Sequence, residues 1–157
     1  MTSEVEFSLD WLAVKKADIT NLTIVCYNES LCYPLPWSDE NLRGCLEGDY
    51  QCFVLQLKSR IIGHMIVQKV LDEIHLHNVC VLPEFQGFGV GHFWLEQLHL
   101  YAKQHLVKSI ILEVRLSNQI AKSLYLKNGY REIGLRKDYY PTVGGREDAM
   151  VMKAQIS

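Results

Sequence analysis

The sequence predicts a mixed α/β sheet with helices on both faces, and three observations lead to that class. Strand-length apolar runs and helix-length amphipathic segments follow one another in the order β-α-α-β-β-β-α-β-α-β-β, seven strands and four helices. The middle three strands are joined by short turns, so they pair as antiparallel neighbours and exclude a regular doubly wound parallel fold. A glycine-rich stretch joins the last of them to a long helix with an apolar stripe.

The elements justify themselves in order. "VEFSLDWLAV" has the alternation of a first strand, and "KADITNLTIVCYNES" carries Ile19, Leu22, Val25 and Cys26 at helical spacing. In "LPWSDENLRGCLEG", Ser38 is an N-cap, the acids lie in the first turn and Gly48 is the stop. "YQCFVLQL" and "RIIGHMIVQKV" form a hairpin about Lys58-Ser59, and "EIHLHNVCVLP" is a strand ended by Pro83. "VGHFWLEQLHLYAKQHL" has a stripe of Phe93, Leu95, Leu98 and Ala102. "SIILEV" is a buried strand. "SNQIAKSLYLKNG" is a helix with Ser117 as N-cap and Gly129 past its end. "YREIGLRKDYY" and "EDAMVMKAQ" are two closing strands joined through "PTVGG".

Composition bounds the function. The 157 residues suit one domain, 1–157, and a 48% hydrophobic share argues against disorder. A net charge of −2 argues against direct nucleic-acid binding. No apolar run approaches the roughly 20 residues of a membrane span, and the acidic N-terminus does not read as a signal peptide. Five cysteines, an odd number with no C-x-x-C pair, read as reduced thiols of a cytoplasmic protein, with Cys80 in the core. His75-x-His77 lacks the further ligands of a metal site, and no G-x-S-x-G elbow is present.

Chemistry concentrates in "QGFGVG", Gln86 to Gly91, between a strand and a helix. Helix N-termini offer free N–H donors and a positive dipole end to phosphates, and glycines leave the backbone room to close on an anion. The spacing is neither G-x-G-x-x-G nor a G-K-[ST] loop; the alternative is a plain strand-to-helix turn.

Gln86-x-x-Gly89-x-Gly91 after an apolar strand, with Asn118 and Tyr125 downstream, resembles the acetyl-CoA site of the Gcn5-related N-acetyltransferases. "LPWSDENL", "LEVRLSNQIAKSLYLKNGY" and "YYPTVGGREDAMVM" resemble, within that family, the branch that acetylates the N-terminal alanine of a small-subunit ribosomal protein. The resemblance implies the acyl-CoA N-acyltransferase fold, with about seven mostly antiparallel strands and a splayed central pair. It implies acetyl-CoA as co-substrate, whose pantetheine arm runs along Val79, Cys80 and Val81. The phosphates would rest on Gln86, Gly87, Phe88, Gly89, Val90, Gly91 and His92. The acceptor would be a ribosomal protein's N-terminus, and the enzyme a monomer or weak dimer.

Acetyl transfer to an amine needs a base for the ammonium and an acid for the departing thiolate. Glu113, near the end of "SIILEV", shares a strand face with Ile111 and Arg115. Partial desolvation there would raise its pKa and make it a base; the alternative is a rim carboxylate paired with Arg115 or a lysine. The resemblance assigns Glu113 as base and Tyr125, beside the coenzyme sulfur, as acid. Asn118, about 10 Å from Tyr125 on the same helix face, would bond the pantetheine or merely cap the helix. Tyr33 and Trp37 in "YPLPW", with Tyr139 and Tyr140, would line the acceptor channel. Two other functions stay open: acetylation of a different amine (another N-terminus, a lysine or a small molecule), and a non-catalytic acyl-CoA-binding module.

Overall fold

A computed structural model describes residues 7–157. Seven strands form one sheet in the order β1-β2-β3-β4-β5-β7-β6, and every neighbouring pair is antiparallel except β4–β5. The strands are β1 (Leu12–Lys16), β2 (Gln51–Leu57), β3 (Arg60–Val70), β4 (Glu73–Val81), β5 (Ser109–Arg115), β6 (Arg131–Thr142) and β7 (Gly145–Gln155). Helices α1 (Leu22–Cys32) and α2 (Asp39–Glu47) precede β2; α3 (Val90–Gln104) and α4 (Gln119–Lys127) flank β5. The predicted class and element order hold.

Three boundaries differ from the sequence reading. The first strand begins at Leu12, because Leu9–Trp11 form a 3₁₀ turn capped by Ser8; the part of that expected strand before Phe7 lies outside the described residues. Helix α1 starts at Leu22, after a 3₁₀ turn over Ile19–Asn21 whose capping box is Asp18 with Asn21. Helix α4 is capped by Asn118, whose Oδ1 accepts from the Ala121 N–H, while the Ser117 hydroxyl donates to Glu147. Ser38 does cap α2, and Lys58 carries the β2–β3 turn with φ 54°.

Two cores sandwich the sheet. The larger packs Trp94, Leu95, Leu98 and Ala102 of α3 on Ile74, Leu76, Ile110 and Leu112. The smaller packs Val25, Leu42 and Cys45 on Cys52, Val54 and Ile66. A bulge at His77 connects them: Ile66 pairs with Asn78 but Val67 with Leu76, leaving His77 without a partner on β3. Leu76 therefore joins the α3 core, while Asn78 turns to α1.

The cysteine expectation is corrected here. The end of α1 lies over β4 with the Cys32 and Cys80 Cα atoms 6.3 Å apart, within disulfide reach, and the two sulfurs are bonded. Cys26, Cys45 and Cys52 are free. A pairing across 48 residues leaves no trace in local spacing. Among the described residues, no helix is long and apolar enough to cross a membrane.

Candidate active site

The parallel pair β4–β5 is joined only from Glu73↔Ser109 to Leu76↔Leu112. Beyond that point each strand continues without the other, Val79 to Val81 on one side and Glu113 to Arg115 on the other. This is the expected splayed pair. Leu82 N–H bonds Ile62 O on β3, so by strand alternation Cys80 also turns its main chain to β3, whereas Val79 and Val81 present theirs to the gap. Cys80 is thus not a main-chain donor to the gap, contrary to expectation. The Val79 and Val81 carbonyls accept from the Tyr33 hydroxyl and the Gln86 side-chain amide respectively.

At one mouth of the gap stands the glycine loop. Gly87 (φ 86°) and Gly89 (φ 81°) are left-handed, and Gly89 is the N-cap of α3. The N–H groups of Val90, Gly91 and His92, in the helix's first turn, have no acceptor within the helix. Gly91 serves packing: a Cβ there would lie 2.8 Å from Leu124 of α4. The side chains contribute less than the main chain. Val90 is buried in the core, Phe88 leans on Phe7, and His92 Nε2 lies 3.0 Å from Glu96. The loop can therefore grip an anion through its amides.

On the gap's other wall, Glu113 is almost buried, its side chain 8% exposed. Its Oε2 lies 2.5 Å from His75 Nε2, its Oε1 accepts from Arg136 at 3.1 Å, and its main-chain oxygen accepts from the Tyr140 hydroxyl at 2.9 Å. Burial pushes the carboxyl pKa up, but the hydrogen bonds and charges of His75 and Arg136 outweigh that and hold it below the usual carboxylate range. The expected upward shift does not occur. Arg115, the expected partner, pairs with Glu147 at 3.0 Å instead.

Tyr125 lies in the core, edge-on to Tyr130 at 5.5 Å, and burial pushes its phenol up to about 12. Tyr33 and Tyr140 are also pushed up, by burial first and then by neighbours that include Tyr125. The three phenols thus converge near the gap. Tyr139 stacks edge-on to Tyr140 at 4.8 Å, with Arg136 over the Tyr139 ring and Arg115 over the Tyr140 ring. Trp37 packs on the smaller core, and its main-chain N–H donates to Glu29.

Sequence reasoning missed three groups. Arg136 and Glu147 carried no local signal. Glu29, fully buried in α1, bonds His64 at 3.1 Å and Asn78 at 3.0 and 3.1 Å, which joins the helix to β3 and β4. His75 was visible but considered only as a metal ligand; its Nε2 faces Glu113, and His77 Nε2 faces Gln68.

Comparison with known proteins agrees with this geometry. The [ribosomal protein bS18]-alanine N-acetyltransferase of Escherichia coli strain K12 is 35% identical over 144 residues, 92% of this chain and 97% of that protein. Its Haemophilus influenzae counterpart is 42% identical over 129 residues, 82% of this chain and 88% of that protein. The crystal structure of the ribosomal-protein-S18-alanine N-acetyltransferase from Escherichia coli superposes with a TM-score of 0.87 at 34% identity, over 93% of this chain and 94% of that one. The Acetyltransferase (GNAT) family model matches residues 17–130. The chain belongs to the acetyltransferase (GNAT) family.

Proposed function

We propose that this protein acetylates the N-terminal alanine of ribosomal protein bS18, with acetyl-CoA as donor. The observation that carries the reading is the gap between β4 and β5. It has the main-chain N–H groups of Val79 and Val81 on one wall, an amide cradle at one mouth, and Glu113 with three tyrosines around its open end. The relatives' substrate supports bS18 as acceptor, and a cytoplasmic enzyme is part of the same proposal.

Acetyl-CoA supplies an activated thioester. The amides of Val90, Gly91 and His92 hold its diphosphate, the N–H groups of Val79 and Val81 align its pantetheine arm, and Asn118, its Oδ1 committed to the helix, offers only its amide N–H₂. Tyr33, Tyr139 and Tyr140 line the acceptor channel, with Trp37 fixing the loop that carries Tyr33. Glu113 supplies fixed negative charge for the α-ammonium. An α-amine, with a pKa of about 7.7–8.0, is about 2.5 units easier to deprotonate than a lysine. Tyr125 stays protonated near neutrality and donates to the leaving thiolate. No covalent enzyme intermediate is required.

Mass spectrometry of peptides incubated with enzyme and acetyl-CoA tests the reading. A peptide beginning with the bS18 N-terminus gains one acetyl on its α-amine, while lysine peptides and polyamines stay unmodified. Preference for either of the latter overturns the acceptor.

A further inference from the structure

We propose that His75 is a catalytic residue: it accepts the proton that the acceptor α-ammonium must lose, while Glu113 holds its Nε2–H. The inference rests on the acetyl-transfer reading above and identifies the base within it.

Glu113 is badly placed to be that base alone. Each of its oxygens already faces a donor, Arg136 at Oε1 and His75 at Oε2. Those donors also lower the carboxyl's pKa, which makes it a weaker base than a free carboxylate. What such a carboxylate does well is orient an imidazole. Two lone pairs do not approach to 2.5 Å, so a proton bridges Oε2 and Nε2, and with Glu113 ionised it belongs to Nε2. When the ring is neutral its free lone pair is on Nδ1, and the imidazolium formed there is stabilised by the adjacent carboxylate, as in carboxylate–histidine pairs generally.

Position agrees with the role. His75 pairs with Ile111, one step before the strands part beyond Leu76 and Leu112, so it sits at the crotch of the gap. Its side chain is 27% exposed against 8% for Glu113, which makes the ring the more approachable half of the pair.

The charged neighbours on each packed element leave this role free. On β4, His77 stacks on His75 at 4.0 Å and is lowered to about 4, by burial first, so it stays neutral. On β3, Gln68 faces His75 in register, and Lys69 points away to the His105 carbonyl. On β6, Arg136 is bound to Glu113, with Tyr139 beneath it. On β7, Lys153 is paired with Glu73 at 3.1 Å.

The step balances without a co-reactant. The ammonium N–H bond breaks and an Nδ1–H bond forms on His75. The amine lone pair then forms the C–N bond, the C–S bond breaks, and the thiolate takes the Tyr125 phenol proton; the new amide nitrogen gives up its second proton, which restores the Tyr125 phenol, and His75 releases the first to solvent.

The test uses the full chain, acetyl-CoA and the bS18 N-terminal peptide. His75→Gln keeps a donor to Glu113 but removes the base; kcat falls by at least about 100-fold, with the KM for acetyl-CoA and the unfolding temperature unchanged. His75→Ala loses as much and is restored by added imidazole in proportion to its concentration, a response a merely structural histidine does not give. Activity of His75→Gln within about twofold of wild type, or no imidazole rescue of His75→Ala, overturns the proposal. The wild-type control separates the two readings. If it acetylates a lysine or polyamine instead, the acceptor assignment fails and the same variants test His75 on that amine. If it acetylates no amine, both fall.

Discussion

Gly63 on β3 lies so close to the Cys80 carbonyl on β4 that no side chain fits between them. A Cβ built on Gly63 would meet the Cys80 oxygen at well under 3.0 Å, and the obstacle is backbone, which cannot swing aside. Gly63 pairs with Val81, beside the strand stretch assigned to pantetheine. Gly63→Ala must therefore push β4 away from β3 just where β4 borders the gap. Overpacking of this kind costs about 1–3 kcal/mol, or about 2–12 °C in Tm for a chain of this size. The expected result is a lowered Tm together with weaker acetyl-CoA binding by calorimetry; Gly134→Ala, with nothing within 4 Å, changes neither. A Gly63→Ala protein as stable as wild type shows that the close approach is not a constraint.

Tyr125→Phe removes one hydroxyl from a ring that the core otherwise holds. Tm should change little while kcat falls about 10²–10⁴-fold, the usual loss of a general acid. Because burial raises this phenol to about 12, the wild-type acid stays loaded through about pH 10. A kcat–pH profile should accordingly show no alkaline fall from this group below that point. A fall at pH 8–9 that disappears in Tyr125→Phe contradicts the assignment.

The carboxylates fix the acid side of the stability curve. Hydrogen bonds and neighbouring charges hold Glu113, Glu73 and Glu147 below the ordinary glutamate pKa. A group whose pKa is lower folded than unfolded stabilises the fold above its unfolded pKa and loses that contribution as pH falls through the folded one. Stability should therefore drop as pH falls below about 4.5, by way of protonation of these pairs. Glu113 is the buried one of the three. Glu113→Gln is less stable than wild type at neutral pH, since His75 and Arg136 lose their shared anion, but its stability declines less steeply below about pH 4.5. Parallel acid limbs, measured by denaturant unfolding across pH, would show that the Glu113 cluster does not titrate as described.

Local chemistry made most of the fold legible. Ser38, Gly48, Lys58-Ser59 and Gly129 punctuate the chain where backbone sterics and unpaired helix ends demand them, and the structure uses each as read. The N-terminal errors arose where a 3₁₀ turn mimics the alternation of a strand or the spacing of a helix. Ser117 and Asn118 are both good caps, and only the distant Glu147, 30 residues on, decides between them. At the candidate site the sequence singled out Glu113 and Tyr125 but did not reveal the partners that surround Glu113. The desolvation argument for Glu113 was sound in sign, yet His75 and Arg136, 38 and 23 residues away, reverse it. The bulge at His77, which turns Asn78 toward α1, has no sequence marker.

That turned Asn78 leads to a last expectation. Glu29, completely buried, is held by the Asn78 amide, His64 Nε2 and the Trp37 N–H, so one carboxylate ties α1, β3, β4 and the loop proposed to face the acceptor. Removing one partner of a buried charged cluster costs about 3–5 kcal/mol, because the others lose their bonds in a place water does not reach. Glu29→Ala should lower Tm sharply. Glu29→Gln keeps the shape and one acceptor, so it folds, but it offers its N–H₂ to donors on two sides. Its loop should loosen around Trp37 and Tyr33, raising the peptide KM several-fold while the acetyl-CoA KM stays near wild type. Equal changes in both constants would mean that the cluster supports the strand gap itself rather than the acceptor loop.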